Sequence, residues 1–597
     1  MAVRIPRPLT AIPALVAALS LAQPAAADGT SNAAISIERG AHIPAQLTDA
    51  DRAFYREVFN QLDAENWGQV QYLLSQRPDG PLTQLALAEY YLAPNSPRIE
   101  LSDLNTWLAK GRELPQAGQI GRLALKRGLE RAPDLPSQQR LVYVRGPALR
   151  TRPRGVGDGT MPDSIAEAIN DRIVNDDPGG ARQLLDGVDA TLSPAARAEW
   201  RQRVAWSHYI ENDDQTALAL ARRVADNGAG PWVAEGWWVA GLAAWRLDNC
   251  ELAADGFTRA AGTAQNIELR AAAHYWAARA FTRCRQPGEA APALRRAAGY
   301  SDTLYGMLAA ERLGMRLPQL ASAAKFSPAD WNTLQDDPNV RTAVALVEIG
   351  REGLADEVLR HQAEIGDARE YQPLARLART LGLAGTQLAM STRVPAGADP
   401  DPSTRFPVTR WAPVDGWRVD PALAYAHTLQ ESRFQPGAVS PAGAVGLMQI
   451  TPITARQHAG LGLGQNTAAL KDPATNMSYG QKNLEMLRDS RGTQGLLPKI
   501  MAAYNAGLSP ITRWNTEIND KGDPLLWMES IPYFETRSYV AIVTRNYWMY
   551  QRQQNRDSDS REAYAQNLWP RFPGVAGTDA VAQHGHEVLS DTIRSGG

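Results

Sequence analysis

The chemistry in this chain gathers around one glutamate. Asp420-Pro421 reads as a helix start, a carboxylate at the cap followed by proline in the first turn. The helix carries Leu423, Ala426 and Leu429 on one face and runs to Glu431-Ser432-Arg433-Phe434-Gln435-Pro436, where Pro436 and Gly437 stop it. Glu431 therefore falls in the last turn. A carboxylate there faces the negative end of the helix dipole, which favours its protonated form. Burial beside Phe434, Leu447 or Met448 raises the pKa further, the condition for a general acid at neutral pH. On position alone, an ordinary solvated glutamate at a helix end is the simpler reading. Two later stretches change it. Ser440-Pro441-Ala442-Gly443-Ala444-Val445-Gly446-Leu447-Met448-Gln449-Ile450 is a small-residue turn leading into an apolar strand or helix start. In it Gly443 and Gly446 permit close backbone approach, and Gln449 offers an amide to a neutral polar ligand. Ala502-Ala503-Tyr504-Asn505-Ala506-Gly507 then ends another helix with an aromatic hydroxyl next to an amide and a glycine cap.

These residues need elements to hold them, and the pattern on either side of about residue 400 differs. From about residue 34 to 390 apolar residues recur at helical spacing, and alternating β-branched runs are few. A repeat shows in the middle: Trp206, Trp245 and Phe281, spaced 39 and 36 residues apart, each precede a turn and an Ala-rich helix, at about 215–225, 251–261 and 289–298. Such hairpins cannot bury their apolar faces singly, so they stack into a curved superhelix. Trp237, Trp238, Tyr275 and Trp276 read as core between repeats, and 146–162 as an exposed loop. The run Val394-Pro395-Ala396-Gly397-Ala398-Asp399-Pro400-Asp401-Pro402 cannot continue a helix and marks a domain boundary. Beyond it, 411–554 forms a compact segment punctuated by Gly460, Gly462 and Gly464, with helices near 473–489, 498–505 and 535–552. Past about residue 572 the chain reads as a frayed tail.

Composition narrows the setting. Of 597 residues, 44% are hydrophobic and 21% charged, ordinary globular usage that argues against disorder. Lys plus Arg number 62 against 64 Asp plus Glu, a net charge of -2 that supplies no overall field to recruit nucleic acid or anionic membrane. Arg4 and Arg7 precede an apolar run over 9–22, and Ala25-Ala26-Ala27 supplies a cleavage site, the form of a secretory signal peptide over 1–27. A membrane anchor needs about 18 to 20 apolar residues, and Gln23 and Pro24 end this run too soon. The two cysteines, Cys250 and Cys284, form no C-x-x-C pair, which removes zinc and redox-motif readings. One disulfide and two buried thiols are both open to them. The scattered histidines, including His427 and the His584/His586 pair in the tail, indicate no metal site.

Glu431-Ser432, Ser440-Pro441, Gly446-Leu447-Met448-Gln449 and Ala503-Tyr504-Asn505-Ala506-Gly507, followed by Glu529-Ser530-Ile531-Pro532-Tyr533 and Glu535-Thr536-Arg537, resemble the soluble lytic transglycosylases of bacterial peptidoglycan. The specific part covers about 150 residues, and Tyr305-Gly306-Met307-Leu308-Ala309 within the helical half resembles the same family more loosely. The resemblance implies an all-α chain: a signal peptide over 1–27, a ring-shaped superhelix over 28–315, a helical linker over 316–402, a lysozyme-like catalytic domain over 403–560 and a tail over 561–597. It implies Glu431 as the acid/base and Ser440, Gln449, Tyr504, Asn505 and Glu535 as substrate-binding residues. Ser440 and Gln449 fall to the sugar N-acetyl group, Tyr504 near the catalytic carboxyl, and Glu535 to the glycan or its peptide stem. Thr451 departs from the pattern, where a methionine is expected, and bears on subsite contacts. No cofactor or metal is implied. The partner is peptidoglycan glycan, with neither nucleic acid nor a membrane segment after signal cleavage, and the location is the periplasm.

The residues carry the same mechanism on their own terms. Glycosidases normally flank the scissile bond with two carboxylates, yet this domain offers one in a motif. Asp415, Asp420 and Asp472 read as caps or surface charges. A single carboxyl suffices when the substrate supplies its own nucleophile, and the product is then a 1,6-anhydro sugar. A hydrolytic muramidase and a catalytically silent peptidoglycan-binding scaffold are the alternatives.

Overall fold

Small residues let the helices of this chain approach closely, and that sets the architecture. In the computed structural model, which describes residues 43–144, 146, 148–318, 320, 325–398, 401–458 and 467–573, the helices Trp232–Arg246 and Cys250–Thr263 pack backbone to backbone. A Cβ on Gly256 would come within 2.7 Å of the Gly241 nitrogen, so only glycine fits there. The expected signal peptide, Gly460, Gly462, Gly464 and the His584/His586 pair lie outside the described residues.

The hairpins repeat one turn. Asn212, Asp248 and Arg285 each adopt a left-handed φ, of 59°, 58° and 58°, immediately before the residue that begins or caps the next helix. Asp213 and Asn249 then accept the amides of Thr216 and Leu252 at 3.2 and 3.0 Å, satisfying donors that a helix start leaves free. Between the repeats lies an aromatic core: Trp238, Phe257 and Trp276 meet at ring separations of 5.3 and 5.6 Å. Trp238, Tyr275 and Trp276 are all buried, as the repeat pattern requires. Cys250 opens one helix and Cys284 caps another; their Cα atoms are 5.5 Å apart and the two are joined in a disulfide.

The chain is all-α, as expected, its named strands being the three-residue pair Leu141–Tyr143 and Arg393–Pro395, antiparallel with Val142 opposite Val394. It closes on itself. The helices of 43–124 share one apolar core with those of 326–394. Glu348 accepts the amides of Gln46 and Leu47 at 2.6 and 3.2 Å and Arg52 Nε at 3.0 Å. The segment read from sequence as a separate linker therefore covers the first hairpins of the array.

A second core unites 161–313 with the C-terminal domain. The long helix Phe534–Gln553 runs through that domain and packs against Pro421–Glu431 and Leu497–Ala506. The expected boundary at 560 falls inside a helix, Asp559–Ala565. The following residues pack back as well: the Pro570 carbonyl accepts Leu497 N at 2.8 Å and Gly495 O accepts Phe572 N at 2.9 Å. Among its described residues the 146–162 loop has no regular element but is not free of the core, because Arg150 forms a buried ion pair with Glu235 at 2.7 Å. Among the described residues no helix is long and apolar enough to cross a membrane.

Candidate active site

The Pro421–Glu431 helix is anchored at its start. Asp420, buried, caps Ala422 N at 2.9 Å, accepts the Tyr547 hydroxyl at 2.9 Å and pairs with Arg556 at 3.0 Å. Its end is shaped by strain, since Arg433 and Phe434 take left-handed φ values of 53° and 61°. That turn folds Phe434 into the interior and leaves Glu431 as the last helical residue.

The loop facing it is built from its own small residues. Gly446, at φ 81°, lies where a Cβ would approach Asn476 Nδ2 and Leu470 O to 2.2 Å. Asn476, fully buried, gives its amide to Val445 O and Leu470 O at 2.8 Å each and accepts Met448 N at 2.7 Å. Ser432 Oγ donates to Leu447 O at 2.7 Å, tying the loop to the helix that bears Glu431. Ser440 Oγ accepts Ala444 N at 3.0 Å. Gln449, at φ 48°, gives Nε2 to Gly446 O at 2.9 Å and Ala438 O at 3.3 Å, so its amide nitrogen is committed to the loop. Thr451 caps the helix Pro452–Gln457 through Thr454 N at 3.1 Å.

Around the carboxyl stands a relay. Tyr539 donates its hydroxyl to Glu431 Oε1 at 2.6 Å, and His427 Nδ1 lies 2.8 Å from the same hydroxyl. A phenol has one proton. When Glu431 is ionised that proton goes to it, and the oxygen then accepts from His427 Nδ1–H. Burial pushes His427 down to about 3, keeping it neutral. Burial together with the charge of Glu431 holds Tyr539 well above the usual phenol range, keeping it a donor. Burial pushes Glu431 up to about 7, against the pull of the Tyr539 hydrogen bond and with a contribution from the negative charge of Glu535. A carboxyl at that value exchanges a proton in either direction at neutral pH.

Tyr504 gives its hydroxyl to Met448 O at 2.8 Å, and its ring packs, tilted, 4.6 Å from that of His427. It stands near Glu431, whose charge raises it further above the phenol range already set by burial. Asn505 accepts the Thr536 hydroxyl at 2.6 Å. Glu535 is exposed in the first turn of the long helix. Three aspartates of the domain are occupied: Asp420 as above, Asp472 capping Thr475 N at 2.9 Å, and Asp415 beside Arg418 at 3.6 Å.

Three residues of this arrangement were missed from sequence: Tyr539, His427 and Asn476. His427 had a signal, lying four residues before Glu431 and hence on its face of the helix. Tyr539 had a weaker one, four residues after Glu535. The two outer motifs also meet: Tyr305 donates to Glu529 Oε1 at 2.6 Å, and the Tyr209 and Ser530 hydroxyls pair at 2.8 Å, fastening the domain to the array.

Residues 412–526 match the family described as "Transglycosylase SLT domain". The soluble lytic murein transglycosylase of Escherichia coli strain K12 is 34% identical over 131 residues, 21% of this chain and 20% of that protein. That of Salmonella typhimurium is 35% identical over 135 residues, again 21% and 20%. The matched region thus spans about one fifth of the length of these curated relatives. The crystal structure of the 70 kDa soluble lytic transglycosylase from Escherichia coli superposes with a TM-score of 0.52 at 16% identity, covering 88% of this chain and 100% of that one. The likeness extends the shared fold to the array. The likeness in sequence to the soluble lytic murein transglycosylases is thus carried by the C-terminal domain.

Proposed function

We propose that this protein is a periplasmic lytic transglycosylase, exported by its N-terminal signal. It cleaves the β-1,4 bond between N-acetylmuramic acid and N-acetylglucosamine in peptidoglycan and leaves 1,6-anhydro-N-acetylmuramic acid ends. The observation that carries this reading is the buried carboxyl: Glu431 is raised to about 7 by burial, while Asp415, Asp420 and Asp472 are engaged elsewhere and Glu535, the carboxylate whose charge reaches it, is exposed at the start of the long helix. Protonated Glu431 gives its proton to the glycosidic oxygen as the C1–O bond breaks, and the substrate's N-acetyl oxygen closes on C1. The C6 hydroxyl then attacks C1 and returns its proton to Glu431, so no water is consumed. A tethered hydroxyl has an effective concentration that reaches about 10⁵ M in well-oriented cases, whereas water finds no dedicated base on the far face.

Ser440 and Gln449 hold the N-acetyl group. With Nε2 committed to the loop, Gln449 turns Oε1 to the acetamide N–H. Tyr504 and Asn505 frame the carboxyl, and Glu535 meets the glycan or its stem. Mass spectrometry of digested cell wall tests the reading. Fragments one water lighter than hydrolysis products, unchanged by borohydride, are expected; mainly reducible muramic acid ends would instead identify a muramidase.

A further inference from the structure

The Pro421–Glu431 helix is buried almost all round, and the side chains it buries are mostly apolar, Ala422, Leu423, Ala424 and Ala426 among them. His427 is fully buried with these. Its Nδ1 lies 2.8 Å from the Tyr539 hydroxyl, and its Nε2 is buried with no hydrogen-bond partner among the described residues. An unpaired buried nitrogen destabilises a fold, and an aliphatic side chain at this position would avoid that cost. The titratable groups facing His427 are Tyr504, from the Leu497–Ala506 helix, and Tyr539, from the Phe534–Gln553 helix. Glu431 follows one turn on, within reach of the charge of Glu535. Burial alone lowers His427, so the imidazole stays neutral while Glu431 titrates.

A neutral imidazole donates from one nitrogen and accepts at the other, so two hydrogen-bond chains are open when Glu431 is protonated. In the first, the Glu431 proton sits on Oε1 and points at Tyr539, Tyr539 donates to His427 Nδ1, and His427 carries its proton on Nε2. That chain buries an N–H with no acceptor, a defect folded proteins rarely keep, and aims the acidic proton into the protein. In the second, His427 donates from Nδ1 and Tyr539 donates to Oε1, leaving an unpaired acceptor at Nε2, the more tolerated defect. The proton of Glu431 then falls to Oε2. Among the described residues the one side-chain hydrogen bond of Glu431 is at Oε1, and the residue is partly exposed, so Oε2 is the oxygen left for a ligand.

We propose that His427 is a positioning residue that keeps Tyr539 donating to Oε1 in both charge states of Glu431, so that the acidic proton stands on Oε2 and faces the glycosidic oxygen. The task of that proton rests on the transglycosylase reading above; the tautomer does not.

Nitrogen NMR of the full chain carrying isotope-labelled histidine, with the His427 signals assigned by their loss in His427→Leu, reads the tautomer. The Nδ1–H form is expected on both sides of the Glu431 titration at about 7. On purified cell wall, His427→Leu should lower kcat about tenfold with KM unchanged. His427→Asn, whose amide N–H takes the place of Nδ1–H, should restore most of the loss. The alkaline limb of kcat/KM in His427→Leu should rise by less than about half a unit, because Tyr539 still donates and loses only the roughly 10–30% that a neighbouring bond lends it. An Nε2–H signal, a tautomer that changes as Glu431 titrates, or an asparagine variant no more active than the leucine variant overturns the proposal. Should the leucine variant fail to fold, the wild-type tautomer and the asparagine variant decide. A wild-type chain that holds the Nδ1–H form throughout but cleaves no cell wall would uphold the positioning and reject the reaction.

Discussion

Replacing Tyr539 by phenylalanine removes one hydroxyl, 2.6 Å from Glu431 Oε1, and leaves the ring that packs the helix. That hydroxyl stabilises the ionised carboxyl, opposing the burial that has raised Glu431 from 4.5 to about 7. A hydrogen bond to a charged group contributes about 1.5 to 3 kcal/mol, which at about 1.4 kcal/mol per pKa unit is about one to two units. The carboxyl of the variant should therefore titrate near 8 to 9. Since the first step needs the protonated form, the alkaline limb of kcat/KM, at pH about 7 in the wild type, should move up by the same amount. The maximal rate should fall about ten- to a hundredfold, because a carboxyl without its clamp samples other rotamers. Release of soluble glycan from purified cell wall, followed from pH 4 to 10 at substrate well below KM, reads both effects. An alkaline limb that stays in place or moves down would refute the relay, whatever happens to the rate.

Glu431→Gln should abolish turnover, a loss of at least about 10² to 10⁴, while changing stability in a pH-dependent way. Glu431 titrates higher folded than its ordinary 4.5, so the stability of the wild type is full below 4.5 and lost progressively as pH rises through about 7. The amide escapes this, and thermal melts should favour the variant above pH 7 by up to about 3 kcal/mol, with no difference at pH 4. Tyr305→Phe strips a donor from the buried Glu529 and should destabilise by about 1 to 3 kcal/mol, with the product unchanged; an unaltered melt would remove this bond from the joint. The Cys250–Cys284 disulfide closes a loop of 34 residues, and Cys250→Ser with Cys284→Ser should cost about 3 to 4 kcal/mol in melting and leave kcat unchanged.

What could be read from the sequence was local. Asp420, Pro421, Pro436 and Gly437 bracket the helix of Glu431 through capping and the missing proline donor, effects that act within a turn, and the Pro421–Glu431 helix follows them. The repeat at Trp206, Trp245 and Phe281 likewise reports a face to be buried. It does not say against what. Periodicity could not reveal that 326–394 covers 43–124, because an apolar face has no address. The same limit hid Tyr539, whose partner lies 108 residues away, and left Tyr504 near the carboxyl without showing that its hydroxyl goes to Met448 O.

The core shared by the first hairpins and residues 326–394 has a consequence for the order in which this chain can fold. Glu348 bonds Gln46, Leu47 and Arg52 across sequence separations of 302, 301 and 296. Until the ribosome has made those later helices, and the chain has crossed whatever barrier it crosses, the apolar faces of 43–124 have nothing to close on. Bringing such distant segments together costs only a logarithmic entropy, so the native state loses little by it. The intermediate bears the burden, with uncovered first hairpins that invite association with other chains. Contacts of this separation also slow the search for the native arrangement. In this protein the middle hairpins, whose partners are sequence neighbours, can form first, and the two ends of the array are the last to become solid.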